Sequence, residues 1–123
     1  MNHMVTWAEI PVSNMERAMS FYREVLSVDF KREDMGGFDY AMFAADPELI
    51  SGALVAGEGY RPGNEGTVVY LNGGDNLSDA LSRISRLGNK VVVPKTPINE
   101  GNNGYFAQFI DSEGNRVGLF SVN

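Results

Sequence analysis

The chain has no cysteine, one histidine and one tryptophan in 123 residues. The absence of cysteine excludes disulfides, thiolate zinc sites and thiol nucleophiles together. The single histidine, His3, sits near the N-terminus, ahead of the first predicted strand, and is not expected to be a ligand or a base. A Ser-His-Asp triad is therefore out of reach. No stretch approaches the about 20 apolar residues that span a bilayer. The N-terminus lacks the basic start and apolar stretch of a signal peptide, so a cytoplasmic protein that does not enter membranes is the expectation. Basic residues are scarce: 10 Lys and Arg stand against 16 Asp and Glu, for a net charge of −6. That balance argues against nucleic acid as a partner, because the phosphate backbone demands a basic footprint. Gly57-Glu58-Gly59 lacks the following helix and lysine of a phosphate loop.

What the chain does have is an internal repeat. The apolar stripe Met15, Ala18, Met19, Tyr22, Val25 returns as Leu77, Ala80, Leu81, Ile84, Leu87. Tyr40-Ala41-Met42-Phe43 returns as Phe106-Ala107-Gln108-Phe109, and Gly52-Ala53-Leu54 as Gly118-Leu119-Phe120. Repetition at half the chain length indicates two copies of one supersecondary unit, here residues 4–57 and 66–122, within one domain spanning 1–123.

Within the first copy, β-branched and aromatic content predicts a strand over 5–12. Ser13 with Glu16 has the spacing of a capping box ahead of a helix that runs to about Leu26. Strands are predicted over 28–33 and 38–44 around Met35-Gly36-Gly37, then a loop over 45–51 containing Asp46-Pro47, then a strand over 52–57. The turn-rich segment 58–66 links the copies. The second copy repeats the order: a strand over 67–72, a helix capped by Asp75 or Asn76 and ended by Gly88, and strands over 90–95, 105–110 and 116–121. The fold class is α+β, with two βαβββ modules paired around a cleft.

Ile10-Pro11-Val12 leading into Asn14-Met15-Glu16-Arg17-Ala18, then Phe21-Tyr22 and Val25-Leu26, form one characteristic block. Phe109-Ile110-Asp111-Ser112-Glu113-Gly114-Asn115 with Val117-Gly118-Leu119 forms another. With the repeat, these resemble the vicinal-oxygen-chelate superfamily, which includes glyoxalase I, fosfomycin-modifying enzymes, bleomycin-binding proteins and extradiol dioxygenases. The resemblance implies the glyoxalase-like fold, but the fold alone does not choose among those functions. It also implies the places where metal-dependent members carry their ligands: one on the first strand and one on the last strand of each module. Here those places fall on Trp7, Gly52, Val68 and Gly118, none of which ligates a metal through its side chain. No metal and no other cofactor is expected.

Strand periodicity places Glu9 on the same face as Trp7. A partly buried carboxylate there would have a raised pKa and suit a general base, or bind a cation or hydroxyl, which makes Glu9 the candidate catalytic residue. Gln108 replaces the Met42 of the first copy and offers a donor and an acceptor. Phe106 and Tyr70 share its expected face. Tyr105 and Lys95 are placed at the mouth as further candidate substrate-binding residues, and the loop over 96–104 is either a lid or a plain surface loop.

The expected function is a glyoxalase-like small-molecule-binding protein, or a metal-independent enzyme, with its site between the modules. Whether it is catalytic stays open. The alternatives are a divalent-metal-dependent lyase or isomerase of the lactoylglutathione lyase type, a drug-sequestering dimer of the bleomycin-resistance kind, and a regulatory domain without ligand. A homodimer is implied by the resemblance.

Overall fold

The computed structural model describes residues 3–46 and 48–123, so Pro47 of the 45–51 loop lies outside the described residues. Two four-stranded sheets carry one helix each. The first contains β1 (Ala8–Pro11), β2 (Phe30–Met35), β3 (Phe38–Phe43) and β4 (Gly52–Ala56), in the order β1-β4-β3-β2. The second contains β5 (Tyr70–Asn72), β6 (Val91–Pro97), β7 (Tyr105–Ile110) and β8 (Arg116–Ser121), in the order β5-β8-β7-β6. In each sheet the first strand pairs in parallel with the last, and the other pairs are antiparallel. Helices α1 (Met15–Leu26) and α2 (Leu77–Arg86) make the crossovers and touch each other. This is the two-module α+β architecture expected from the repeat.

One core serves both modules. Met15, Ala18, Met19, Phe21, Tyr22 and Val25 of α1 are buried with Leu77, Ala80 and Ile84 of α2 and with Leu54, Phe109 and Leu119 of the two sheets. Side chains of the helical period and of the strand period meet at that layer. Leu87, the last residue of the second stripe, is 46% exposed, because α2 ends at Arg86 and the chain turns away through Gly88 at φ +82°. The Gly36-Gly37 pair has φ of +64° and +93°, the conformation that lets a two-residue turn close the β2–β3 hairpin.

Three local expectations change. The cap of α1 is Asn14, whose Oδ1 accepts from the Arg17 amide at 3.0 Å. Ser13 instead gives both its amide and its hydroxyl to Glu113 across the module boundary, at 2.9 and 3.0 Å. A long-range carboxylate outcompetes the local capping box there. Strands β1 and β5 are shorter than predicted. Their flanks make single bonds rather than a ladder, as in the Val69 carbonyl accepting from the Gly118 amide at 2.8 Å.

The third change concerns the register of the repeat. Met42 pairs with Ala53 and Gln108 pairs with Gly118, so Gly118 corresponds to Ala53 and not to Gly52. Gly52 pairs with Ala8 and points with Leu54 to the helix side. A β-carbon at Gly52 would lie 2.4 Å from the Ala8 carbonyl oxygen, so its glycine serves close strand approach. A one-residue slip exchanges the faces of a strand, and the glycine-to-glycine match in sequence was such a slip.

Candidate functional site

The sheet faces turned away from the helices carry two polar-aromatic groups. The first is centred on Glu9 of β1. The Tyr40 hydroxyl donates to its Oε2 at 2.8 Å, and the Tyr60 hydroxyl donates to its Oε1 at 2.7 Å. The Trp7 indole N–H donates to the Tyr40 oxygen at 2.8 Å, so one relay runs from Trp7 through Tyr40 to Glu9. Burial and the neighbouring Glu9 raise the Tyr40 pKa. The hydrogen bond to Glu9, with some burial, raises that of Tyr60. Both phenols are therefore held as donors. Glu9 itself is exposed, not partly buried as the sequence suggested, because its face has no helix over it. Among the described residues no Lys or Arg forms an ion pair with Glu9.

The second group lies on the other sheet. Gln108 Nε2 donates to the Tyr70 oxygen at 2.7 Å, and Arg116 Nη1 donates to Gln108 Oε1 at 3.1 Å. The Tyr70 and Phe106 rings meet edge to face, with centroids 6.2 Å apart. Arg116 Nε is buried without a hydrogen-bond partner. An unpaired buried donor costs about 1–3 kcal/mol, so it marks a place where an acceptor is wanted.

Glu9 of the first group and Arg116 of the second border one hollow of about 160 Å³. Its wall includes Glu9, Arg61, Glu65, Val69, Asn115 and Arg116. The segment between modules closes one side, since the Gly63 amide donates to Asn115 Oδ1 at 3.0 Å. Glu9 also lines a second hollow of about 220 Å³, shared with Met35, Phe38, Tyr40, Val55 and Tyr60. A third, more apolar hollow of about 420 Å³ lies between the outer ends of β1 and β5.

Of the candidate residues, Trp7 and Glu9 come together through Tyr40, and Tyr70, Phe106 and Gln108 come together directly. Lys95 and Tyr105 do not join them. The Lys95 ammonium lies 4.5 Å from the Tyr105 ring centre and donates to Asn76 Oδ1 at the start of α2. Tyr105 packs against the core on the helix side of β7. The 96–104 segment is closed on itself by bonds such as the Ile98 amide to the Gly104 carbonyl, 2.9 Å.

Sequence reasoning missed Tyr40, Tyr60 and Arg116. Tyr40 was visible as the counterpart of Phe106, and Arg116 as the residue two before Gly118 on one strand face. Tyr60 lies in the connecting segment, where no periodicity points to it.

The residues at the chelate positions do not fit a metal. The last-strand places are Ala53 and Gly118, and the Gly118 place is covered by the Tyr70 ring, 2.3 Å from where a β-carbon would sit. Of the two carboxylates on the hollow's wall, Glu9 accepts from a phenol at each oxygen, and Glu65 belongs to the connecting segment and not to a chelate position. Among the described residues no three His, Cys, Asp or Glu side chains are grouped to hold an ion.

Away from the cleft, one further network joins the modules. Glu113 takes hydrogen bonds from Arg17 at 2.7 and 3.0 Å and from the Asn14 amide at 2.8 Å. Burial pushes its carboxyl up, but Arg17 and the donors of Asn14, Ser112 and Ser13 outweigh this and bring it down to about 2. Beneath it, the buried Tyr22 hydroxyl donates to the buried Asp111 at 2.7 Å.

Residues 1–119 match the family model described as Glyoxalase/Bleomycin resistance protein/Dioxygenase superfamily. A glyoxylase/bleomycin resistance protein/dioxygenase domain from Frankia sp. EAN1pec superposes with a TM-score of 0.73 at 14% identity, over 98% of each chain. The antibiotic-binding protein TnmS3 from Streptomyces sp. CB03234 does so with a TM-score of 0.67 at 25% identity, over 98% of this chain and 96% of that one. The fosfomycin resistance protein FosX from Listeria monocytogenes gives 0.70 at 12% identity, over 98% and 91%. No curated protein matches the sequence. The fold, the repeated modules and the family model agree, and the chain belongs to the Glyoxalase/Bleomycin resistance protein/Dioxygenase superfamily.

Proposed function

We infer that this protein binds a small molecule in the cleft between its modules and does so without a metal or other cofactor. The observation that carries this reading is the buried, unpartnered Nε of Arg116 beside the Gln108–Tyr70 pair, on the wall of the hollow that Glu9 also borders. A convergent set of polar groups in a partly apolar hollow is the usual form of a ligand site. Arg116 suits a carbonyl or carboxylate oxygen, and Ile10, Val69 and Val117 on the same wall supply the apolar contact.

The test is a thermal-shift screen of small carboxylates, amides and amines, run with and without chelator. A stabilising compound whose effect survives chelator and is lost in Arg116→Ala supports the reading. A response that needs added zinc, nickel or manganese returns the chain to the metal-dependent lyase or isomerase class.

A homodimer that sequesters a larger drug-like molecule is the second reading, and a specific observation favours it. β1 and β5 are both edge strands, and Trp7 and Tyr70 beside them are 41% and 46% exposed. Aromatic surface of that kind beside an unpaired edge suits a second copy, with ligand held between the two. TnmS3 is named as an antibiotic-binding protein, which agrees with such a use. Light scattering decides it: a monomer at all concentrations removes the shared site. A cytoplasmic location completes the proposal. Among the described residues no helix is long and apolar enough to cross a membrane.

A further inference from the structure

We propose that the Glu9 hollow takes a positively charged nitrogen, as a quaternary or protonated amine, and so sets the chemical class of the ligand. The inference rests on the small-molecule reading above and narrows it.

Four features carry it. Glu9 is an anion with no cationic side chain paired to it among the described residues. Its carboxylate is fixed in place by Tyr40 and Tyr60, so its orientation is set before any ligand arrives. The surrounding wall is aromatic and apolar: Phe38, Met35 and Val55 line the hollow with the two tyrosines, and the Phe38 and Tyr60 rings meet edge to face at 5.5 Å. Trp7 is tied into the same group by its bond to Tyr40.

Other ligand classes fit less well. An anion would meet Glu9, and the phenol protons that would receive it are already donated to that carboxylate. A neutral apolar group would strip water from a charged carboxylate and return nothing for it. A cationic nitrogen gains from the carboxylate and from the negative faces of the rings together. The hollow of about 220 Å³ has room for a trimethylammonium head. Arg61 and Arg116 border only the other hollow, which shares Glu9 with this one and where an oxygen of the same ligand would be received.

The probes are choline and its uncharged isostere 3,3-dimethylbutan-1-ol. The readout is the emission of Trp7, the one tryptophan of the chain. Choline is expected to change that emission saturably, with the alcohol at least about tenfold weaker. In Glu9→Gln the preference for choline should vanish, while the circular-dichroism spectrum stays that of the wild type. Should Glu9→Gln fail to fold, the wild-type comparison of charged and uncharged probe decides alone. Equal response to both probes overturns the proposal, as does the lack of a saturable response up to about 100 mM choline. The parent reading fails separately. A neutral or acidic compound whose stabilisation depends on Arg116 would keep the cleft as a small-molecule site and overturn only its cationic preference. A screen in which no compound, choline included, gives a saturable response would remove both.

Discussion

The Tyr70 ring packs against Gly118, its neighbour in the β5–β8 register, in the space a side chain there would fill. A β-carbon on Gly118 would sit 2.3 to 2.7 Å from three atoms of that ring, including the one nearest the main chain. The glycine and the tyrosine are therefore one unit, and Gln108 holds the tyrosine oxygen from the next strand.

Gly118→Ala is expected to push Tyr70 out by rotation at its root and to break the Gln108 bond. The cost should be about 1–2 kcal/mol, typical of overpacking. In the Tyr70→Ala background the same change should cost much less, and a double-mutant cycle by urea unfolding measures the difference.

Gly52→Ala meets a harder obstacle, the Ala8 carbonyl oxygen at 2.4 Å. Backbone cannot rotate away as a side chain does, so the parallel β1–β4 pair has to part. We expect a loss of about 2–3 kcal/mol, at the upper end of overpacking costs, with no relief from any single side-chain truncation.

Glu113 gives the fold a pH dependence on the acid side. Its carboxyl falls from the ordinary 4.5 to about 2 in the folded state. A lowered folded pKa stabilises above the unfolded value and is lost as pH falls through the folded one. Stability should thus be level above about pH 5 and decline between about pH 4.5 and 2, by about 2 kcal/mol once screening of the half-exposed Arg17 is allowed for. Urea midpoints taken across this window in wild type and Glu113→Gln should differ at pH 6 and converge at pH 2.

Tyr22→Phe removes the buried donor to Asp111 and leaves that oxygen with the Asn115 amide nitrogen at 3.1 Å as its remaining partner. The expected cost is about 1–3 kcal/mol, read by thermal unfolding. Burial first, then Asp111, holds the Tyr22 pKa well above its ordinary value. A raised folded pKa means stability is lost as pH climbs above the unfolded value near 10, so the variant should also be less sensitive to alkali than the wild type.

The sequence made most of the architecture legible, because it is written in periodicity. Helical stripes such as Met15 to Val25 and strand alternation such as Phe106 to Gln108 are direct records of which side is buried. Glu9 and Gln108 were found by the same rule. Failures came where the deciding contact is distant in sequence. Ser13 lost its capping role to Glu113, a hundred residues away. Tyr60 reaches Glu9 from a segment with no pattern at all. The Gly52 match to Gly118 failed for another reason: identity of residue was read as identity of position, and only the hydrogen-bond register distinguishes the two faces.

Tyr60 belongs to the segment joining the modules, and that has a topological consequence. A chain of two units has two sheets but one connector. Each side chain of the connector can be given to one sheet only, so two units joined by one connector are unequal even before any paired residue diverges. Here the connector brings a phenol to the first sheet's carboxylate. The second sheet receives only the Gly63 amide, at Asn115 beside β8, and its side-chain polar groups, Gln108 and Arg116, come from within its own strands. The uneven polarity of the two sheet faces thus follows from chain order as well as from residue choice.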